Sequence, residues 1–107
     1  MTELQNEAVC VSTFIAKDGK ESELQQALYV LIEPTRQEAG CLRYELHQNI
    51  ENPKEFTMIE KFKDLDAFYS HGNQPYLQNF KKIVPGLTDY VAVKLYKEFE
   101  NDSGYTI

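Results

Sequence analysis

The chain has few of the residues and segments that mark membrane or secreted proteins. None of its 107 residues is tryptophan, and only two are cysteine. No apolar run approaches the roughly 20 residues that a helix needs to cross a bilayer. The first ten residues, MTELQNEAVC, are acidic and polar and lack the basic-then-apolar order of a signal peptide. We therefore expect no membrane span and a cytoplasmic location.

Basic residues are also scarce. Eleven lysines and arginines stand against seventeen acidic residues, so the net charge is −6. Nucleic-acid backbones repel such a surface, and the sequence contains no basic stripe that could offset the repulsion. Anionic membrane surfaces are disfavoured for the same reason. We predict no nucleic-acid partner and no membrane partner.

Sites for cofactors and metals are missing from the sequence as well. It has no glycine-rich phosphate loop and no Cys-x-x-Cys motif. The two histidines, His47 and His71, are not spaced like metal ligands with other residues. We predict no bound cofactor and no metal.

What the chain does contain fits one globular domain. Hydrophobic residues make up 42% and charged residues 26%, both ordinary for a folded protein. A chain of this length buries roughly two thirds of its unfolded surface. We expect a single domain over 1–107, with a core at about 8–99 and a polar tail at 100–107.

The hydrophobic periodicity predicts four strands and two helical segments. Alternating, β-branched and aromatic patterns predict strands. Apolar residues at helical spacing, with Asp64 as a cap and Pro75 at the first position of a second piece, predict helices. The predicted strands are 8–17, 41–49, 55–62 and 88–99, and the predicted helical segments are 20–39 and 63–83.

One junction combines a helix break with an immediate strand. Pro34 lacks an N–H and crowds the carbonyl of Val30, so the first helical segment must bend or break there. One more turn would follow and stop at Gly40, for which we expect a left-handed conformation. The strand from residue 41 begins directly after it.

The order strand, helix, strand, strand, helix, strand is that of the split βαβ, or ferredoxin-like, arrangement. This α+β fold has a four-stranded antiparallel sheet with both helices on one face. Its third strand lies between the first and second, which separates Cys10 from Cys41 by two strand spacings, roughly 9–10 Å. That distance is too long for a disulfide, so we expect two reduced thiols.

Both faces of the predicted sheet are mainly apolar. The last strand carries Val91, Val93 and Leu95 on one side and Tyr90, Ala92 and Tyr96 on the other. A sheet with one solvated face should alternate more cleanly, and two helices cover only one face. We predict that a second copy covers the other face in a symmetric homodimer, through an interface on the order of 2,000 Å² or more. The alternative is that loops or the tail cover it.

Three segments resemble the antibiotic biosynthesis monooxygenase family, in particular its small quinol-oxidising members. They are EPTRQEAGCLRYEL, FTMIEKFKDLDAFYSH and QPYLQNF, and the resemblance runs from about residue 8 to residue 97. Its most specific parts are the junction from Pro34 to Tyr44, Glu60 late in the third strand, and His71 at a helix end. The resemblance implies a dimeric α+β barrel.

The activities that the resemblance implies are diverse. Members oxygenate polycyclic or simple quinols without a cofactor, degrade haem, or handle a phosphorylated signalling sugar. The absence of tryptophan counts against haem, since Phe62 and Phe68 would have to replace a pocket tryptophan. Tyr76 stands where many members have a second histidine, which puts a two-histidine mechanism in doubt.

The candidate catalytic residues are His71 and Glu60. At a helix C-terminus the dipole favours imidazolium, so His71 could stabilise a phenolate or peroxide anion, or act as a base. Alternatively, it simply ends a surface helix. Glu60, on an apolar strand side, could orient His71 or pair with Arg43 or Lys94, because an unpaired buried charge is costly.

Aromatic residues are the candidates for substrate binding. Tyrosines could line a flat pocket and donate hydrogen bonds to a quinone oxygen. The alternative is that Tyr44, Phe14 and Phe80 pack in the core. The candidates are Tyr44, Tyr69, Tyr76, Phe14 and Phe80.

The predicted function is a cofactor-independent monooxygenase that oxidises a quinol or hydroxy-aromatic molecule with O₂. Ground-state dioxygen is a triplet and needs a one-electron donor, so without a cofactor the substrate itself must supply electrons. Two alternatives remain open. One is an isomerase or lyase acting on a small oxygenated metabolite, and the other is a non-catalytic, stress-related dimer that binds a small molecule.

Overall fold

The structure, a computed structural model, describes residues 2, 3 and 6–100. The strands are β1 (Thr2–Glu3), β2 (Ala8–Ala16), β3 (Cys41–Gln48), β4 (Glu55–Phe62), β5 (Thr88–Tyr96) and β6 (Phe99–Glu100). The helices are α1 (Glu21–Tyr29), α2 (Ile32–Arg36), α3 (Leu65–Gly72) and α4 (Pro75–Ile83), followed by a 3₁₀ turn at Val84–Gly86. The expected tail beyond Glu100 lies outside the described residues.

The main sheet has four antiparallel strands in the order β3-β4-β2-β5. This order confirms the predicted ferredoxin-like arrangement. Because β4 separates β2 from β3, Cys10 and Cys41 lie on non-adjacent strands, and both are free thiols, as predicted. A separate two-stranded ladder joins β1 to β6, which the sequence did not predict.

Local sequence signals explain where two of the four described helices begin. The Asp64 side chain accepts a hydrogen bond of 2.7 Å from the Ala67 N–H, as an N-cap should. Pro75 occupies the first position of α4, where its missing N–H costs nothing. The last strand was predicted too long, because β5 ends at Tyr96 and β6 starts separately at Phe99.

The helix break near Pro34 was predicted correctly, but the role of Gly40 was not. α1 ends at Tyr29, and Pro34 lies within the short α2. Among glycines of the described residues, only Gly19 has a positive φ, so Gly40 is not left-handed. Instead, a Cβ on Gly40 would overlap the Cβ of Ala67 on α3. Gly40 is therefore a point of close approach between the junction and α3.

The core lies between the helices and one face of the sheet, here called the inner face. Along β2 and β4 every second residue is buried, and Phe14, Phe56 and Met58 among them form one core cluster with helix residues that include Leu24 and Leu28 of α1 and Leu77 and Phe80 of α4. The alternate residues, on the outer face, remain partly exposed. Among the outer-face residues are Val9, Val11, Ile15, Ile59, Tyr90 and Tyr96.

The edge strand β5 is exposed on both faces. Its register with β2 places Val91, Val93 and Leu95 on the inner face, yet they are 42–58% exposed. On the outer face Tyr90 and Tyr96 are about half exposed. The described helices therefore cover the sheet mainly over β3, β4 and β2. Within the described part of the chain, no helix is long and apolar enough to span a membrane.

Candidate functional site

A cavity of about 390 Å³ lies between the inner face of the sheet and the helices. Its volume falls within the range of pockets that hold small organic molecules. From the sheet it is lined by Cys10, Ser12, Phe14, Tyr44, Met58, Glu60, Val91 and Val93. From the helices and the turns that follow them it is lined by Leu28, Leu31, Phe68, Tyr69, His71, Gly72, Asn73, Leu77, Phe80, Lys81 and Val84.

A row of three side chains crosses the inner face at the polar part of the cavity. Strand register places Glu60 directly opposite Tyr44 on one side and Cys10 on the other. All three are at most 5% exposed. Ser12, two residues along β2, has its hydroxyl 3.5 Å from the Cys10 sulfur. The sheet thus brings one carboxyl, one phenol, one thiol and one hydroxyl into an otherwise apolar wall.

Burial changes the protonation of this row. The pKa of Glu60 is raised from 4.5 to about 8, chiefly by burial and also by the charge of Glu38, while the Ser12 hydroxyl acts in the opposite direction. Burial also raises the pKa of Tyr44, and that of Cys10 to about 11. At neutral pH the row is therefore mostly protonated. Glu60 Oε1 is buried without a hydrogen-bond partner, so it can bond to a ligand.

The last turn of α3 holds His71 over this row. His71 is 4% exposed, so the alternative that it merely ends a surface helix is wrong. Its Nε2 lies 3.6 Å from Glu60 Oε1. Its ring centroid lies 5.4 Å from that of Tyr44 and 5.0 Å from that of Phe62. The imidazole is therefore fixed by aromatic packing, with one nitrogen directed at Glu60.

The other ring nitrogen of His71 contacts a residue that sequence reasoning missed. Nδ1 lies 3.0 Å from Oε2 of Glu38, in the turn between α2 and β3. The Tyr76 hydroxyl donates a hydrogen bond to the same oxygen and lies 3.3 Å from the carbonyl oxygen of Pro34. His71 is thus held between two carboxyl groups, Glu38 outside the cavity and Glu60 in its wall.

The structure brings most of the predicted binding residues to the cavity. Tyr44, Tyr69, Phe14 and Phe80 all line it, with Tyr69 more than half exposed and Phe14 packed edge-to-face on Phe80 at 5.7 Å. Tyr76 is not among the lining residues, because its hydroxyl is engaged with Glu38 behind His71. Their roles toward a substrate stay predictions.

Neither suggested cationic partner of Glu60 is placed to reach it. Arg43 lies opposite Lys61 on the outer face and pairs with Glu45 at 2.9 Å. Lys94 lies opposite Val11, also on the outer face. Glu60 points to the inner face, so its neighbour is His71, as the orienting alternative required.

Two contributors to the site were not predicted from the sequence. Glu38 lies in a polar helical turn, and its contact with His71 spans 33 residues, so no local signal marks it. Ser12 lies on the same side of β2 as Cys10 and Phe14. This shared side was the sequence signal that could have indicated a position in the cavity. Among described residues, no group of three or more His, Cys, Asp or Glu side chains is arranged to hold a metal ion.

Chemically, the arrangement suits a neutral, flat ligand with a hydroxyl or carbonyl oxygen. Apolar side chains exclude water around most of the ligand, while Glu60, Tyr44 and His71 supply hydrogen-bond donors and an exchangeable proton at one end. Lys81, whose Nζ donates to the Gly72 carbonyl at 3.0 Å, is the cationic side chain among the lining residues.

Comparison with known proteins identifies the family. The sequence model described as antibiotic biosynthesis monooxygenase matches residues 8–83. The chain belongs to the antibiotic biosynthesis monooxygenase family. This confirms the resemblance carried by the Pro34–Tyr44 junction and by the segments around Glu60 and His71.

Two proteins related to this chain come from Mycobacterium tuberculosis and Synechocystis. The chain is 30% identical over 84 residues to Rv0793 of Mycobacterium tuberculosis, provisionally named a monooxygenase, covering 78% of this chain and 82% of that protein. It is 28% identical over 88 residues to the uncharacterized protein sll1783 of Synechocystis, covering 81% of this chain. The match spans 60% of the length of the Synechocystis protein.

Solved structures show the same fold at moderate identity. SO0527 from Shewanella oneidensis is 39% identical with a TM-score of 0.88, and the match covers 91% of this chain and 95% of that one. PA3566 from Pseudomonas aeruginosa is 29% identical with a TM-score of 0.86, covering 90% and 97%. Nearly all of the described fold is therefore shared with these proteins.

Proposed function

We propose that this protein is a cofactor-independent monooxygenase that oxidises a quinol or a related hydroxy-aromatic molecule with O₂. One observation carries the proposal: a buried histidine, His71, stands over Glu60, whose Oε1 has no hydrogen-bond partner, at the polar end of an apolar cavity. Such a site can deprotonate a phenolic hydroxyl and keep water away from the resulting anion. The assignment of the chain to a monooxygenase family supports the same chemistry.

The reaction balances without an external reductant. A quinol with one free ring C–H reacts with O₂ to give a hydroxyquinone and water. One oxygen atom enters the C–H bond as C–OH. Oxidation of the two phenolic groups supplies the two electrons and two protons that reduce the other oxygen atom to water. The quinol anion is the electron donor to O₂, so the protein needs to stabilise the anion and return protons at the right moment.

Each polar residue of the cavity has a role in this scheme. His71 accepts the proton of the substrate hydroxyl or stabilises the anion that remains. Glu60, mostly protonated at neutral pH because its pKa is about 8, donates a proton as the O–O bond breaks. Tyr44, whose pKa is raised by burial, stays a phenol and donates a hydrogen bond to a ring oxygen. Phe14, Phe80 and Tyr69 form apolar walls along the ring.

The test is oxygen consumption with a panel of simple and polycyclic quinols, after dialysis against a chelator. His71→Ala is compared with the wild type, and His47→Ala is the control because His47 lies on the edge strand β3, outside the cavity. We expect uptake by the wild type and by His47→Ala. We expect His71→Ala to lose roughly 10²–10⁴-fold in kcat, the usual contribution of a general acid–base.

Three results would count against the proposal. Equal rates in wild type and His71→Ala would remove His71 from the mechanism. Turnover of a metabolite under anaerobic conditions would favour the isomerase or lyase alternative. Saturable quenching of tyrosine fluorescence by quinols, with no oxygen uptake and no product, would favour the binding protein.

The proposed working form is a homodimer joined through the outer face of the sheet. Its support is the apolar character of that face, with Val9, Val11 and Ile15 on β2 and Ile59 on β4, none of which a helix of the described chain buries. A single chain that left such a surface in water would be unusual. A second copy would turn two open sheets into a closed barrel and support the strands that carry the cavity.

A further inference from the structure

Glu38 contacts the side of His71 that faces away from the cavity. Its Oε2 lies 3.0 Å from Nδ1 of His71, and the Glu38 side chain is only 14% exposed. The Tyr76 hydroxyl donates to this same oxygen. Because the Tyr76 hydroxyl donates to it, this oxygen acts as an acceptor, which is how a carboxylate behaves.

We propose that Glu38 is a positioning residue that keeps a proton on Nδ1 of His71. Nε2, 3.6 Å from Glu60, is then the nitrogen that exchanges a proton with the substrate. The proposal rests on the function proposed above and adds a residue and an atom to it. A carboxylate that hydrogen-bonds one imidazole nitrogen fixes both the tautomer and the ring orientation.

The geometry favours a neutral His71 ring with its proton on Nδ1 over one with its proton on Nε2. If Nδ1 carried no proton, its lone pair would face the Glu38 oxygen at 3.0 Å, with the Tyr76 proton already committed to that oxygen. Two acceptors would then oppose each other in a mostly buried position, which is costly. On the other side of the ring, Glu60 is mostly protonated at neutral pH, and Nε2 faces an acid rather than a competing charge.

Tyr76 supports Glu38 in turn. Its hydroxyl ties the carboxylate to α4, while the carbonyl of Pro34 lies 3.3 Å from that hydroxyl on the other side. Both groups that the Tyr76 hydroxyl contacts come from the segment EPTRQEAG, in which Pro34 and Glu38 are four residues apart. The helix break at the junction thus has a chemical consequence: it delivers a carboxylate to the back of His71.

The proton path that follows is balanced. The substrate hydroxyl proton moves to Nε2, giving an imidazolium whose Nδ1 proton remains bonded to Glu38. As the O–O bond breaks, Glu60 donates its proton to the departing oxygen, and the Nε2 proton then moves to Glu60, 3.6 Å away, and restores its acid form. Glu38 gains no proton and loses none, so its contribution is orientation and stabilisation of the imidazolium.

The experiment is nitrogen NMR of the histidine rings, which needs no substrate. Only two histidines exist, so a His47→Gln variant assigns both spectra. In the neutral form of the ring, we expect the wild-type His71 to carry its proton on Nδ1. In Glu38→Ala we expect the Nε2–H tautomer to gain population. Glu33→Ala, at an exposed carboxylate on α2, is the matched control and should leave the His71 spectrum unchanged.

Kinetics supply the second readout. With a quinol that the wild type oxidises, Glu38→Ala should lower kcat by about 10–100-fold and change KM little, the usual effect of losing a supporting carboxylate. Glu33→Ala should match the wild type. An Nε2–H tautomer in the wild type, or an unchanged tautomer in a folded Glu38→Ala, would overturn the proposal. The wild-type spectrum decides this even if Glu38→Ala fails to fold.

The two proposals can fail separately. If the wild type consumes no oxygen with any quinol but its His71 carries the proton on Nδ1, the oxygenase is contradicted and the role of Glu38 in fixing the ring stands. If oxygen is consumed and His71 is required, but the tautomer is Nε2–H, the positioning role alone is contradicted.

Discussion

Among the described residues, Glu60 shows how strongly an apolar environment can change one side chain. It lies on the inner face of β4, where its strand neighbours on that face, Met58 and Phe62, are almost completely buried. Burial raises the pKa of its carboxyl from 4.5 to about 8. The protonated form is therefore the one that the folded state accommodates.

This pKa gives a prediction for stability against pH. Glu60 is protonated in both states below pH 4.5, so it imposes no penalty there. Between pH 4.5 and about 8 the unfolded chain releases the proton and the folded chain keeps it, so stability falls as the pH rises. The loss approaches about 1.4 kcal/mol per pH unit at most. Glu60→Gln should remove this part of the pH dependence.

The measurement is urea denaturation at pH 5, 6.5 and 8 for the wild type and Glu60→Gln. Glu33→Gln, which changes an exposed carboxyl, is the control and should follow the wild type. We expect the stability of Glu60→Gln relative to the wild type to increase from pH 5 to pH 8. A constant difference across the three pH values would show that Glu60 titrates as an exposed carboxyl does.

Individual site residues were predictable from the sequence only when a local pattern marked them. His71 stands beside a helix-ending glycine, and Glu60 interrupts an apolar strand side, so both attracted attention. Glu38 has no such mark, because its importance comes from a contact with His71 that the folded chain creates across 33 residues. Pairing partners are set by which face a residue occupies, which excluded Arg43 and Lys94.

At the scale of helices and strands, the junction before β3 and the helix α3 approach each other so closely at Gly40 that a side chain there would overlap Ala67. Gly40 is buried between α2 and β3, and its carbonyl accepts a hydrogen bond of 2.9 Å from the N–H of Lys63. A Cβ at this position would overlap the Cβ of Ala67 in α3. Both backbones are held by hydrogen bonds, so neither can move away cheaply.

We predict that Gly40→Ala lowers the free energy of unfolding by about 1–3 kcal/mol, the usual cost of overpacking. Gly86→Ala is the matched control, since a Cβ there would meet no atom within 4 Å. Its effect should stay within about 1 kcal/mol and can be stabilising. Urea denaturation measures both.

The double variant Gly40→Ala/Ala67→Gly tests the cause. Removing the Cβ of Ala67 restores the space, so the two substitutions should be less costly together than the sum of their separate effects. Additive effects would mean that Gly40 matters for a reason other than its contact with Ala67.

For helices and strands, sequence patterns predicted the type and order of the elements better than the physical reason why each element ends where it does. The order of strands and helices, the Asp64 cap and the start of α4 at Pro75 followed from local chemistry. Gly40 was assigned to a left-handed turn because glycine commonly has that role, whereas the structure uses its lack of a side chain. The distinction depends on packing against α3, which no local pattern encodes.

For the whole molecule, the outer face of the sheet determines the expected assembly. Val11 lies at its centre, between Ile59 on β4 and Lys94 on β5. The alternation that predicted two apolar faces is present in the structure. We expect a second copy on the outer face, because an apolar sheet face that the chain's own helices leave uncovered is typical of obligate dimers.

The last prediction places a charge in the centre of this face. Val11→Asp should convert the dimer to a monomer, since a carboxylate at a buried interface would lose its hydration, and pairing with Lys94 on the neighbouring strand would offset only part of that cost. Val30→Asp makes the same change at a 54% exposed position after α1, away from the sheet, and should remain dimeric. Sedimentation velocity at micromolar concentration distinguishes the two species. A wild-type protein that sediments as a monomer would contradict the dimer, and an undisturbed dimer in Val11→Asp would move the interface to another surface.

If the barrel supports the cavity, monomeric Val11→Asp should also lose most quinol-dependent oxygen uptake while Val30→Asp keeps it, which links the assembly to the chemistry at His71.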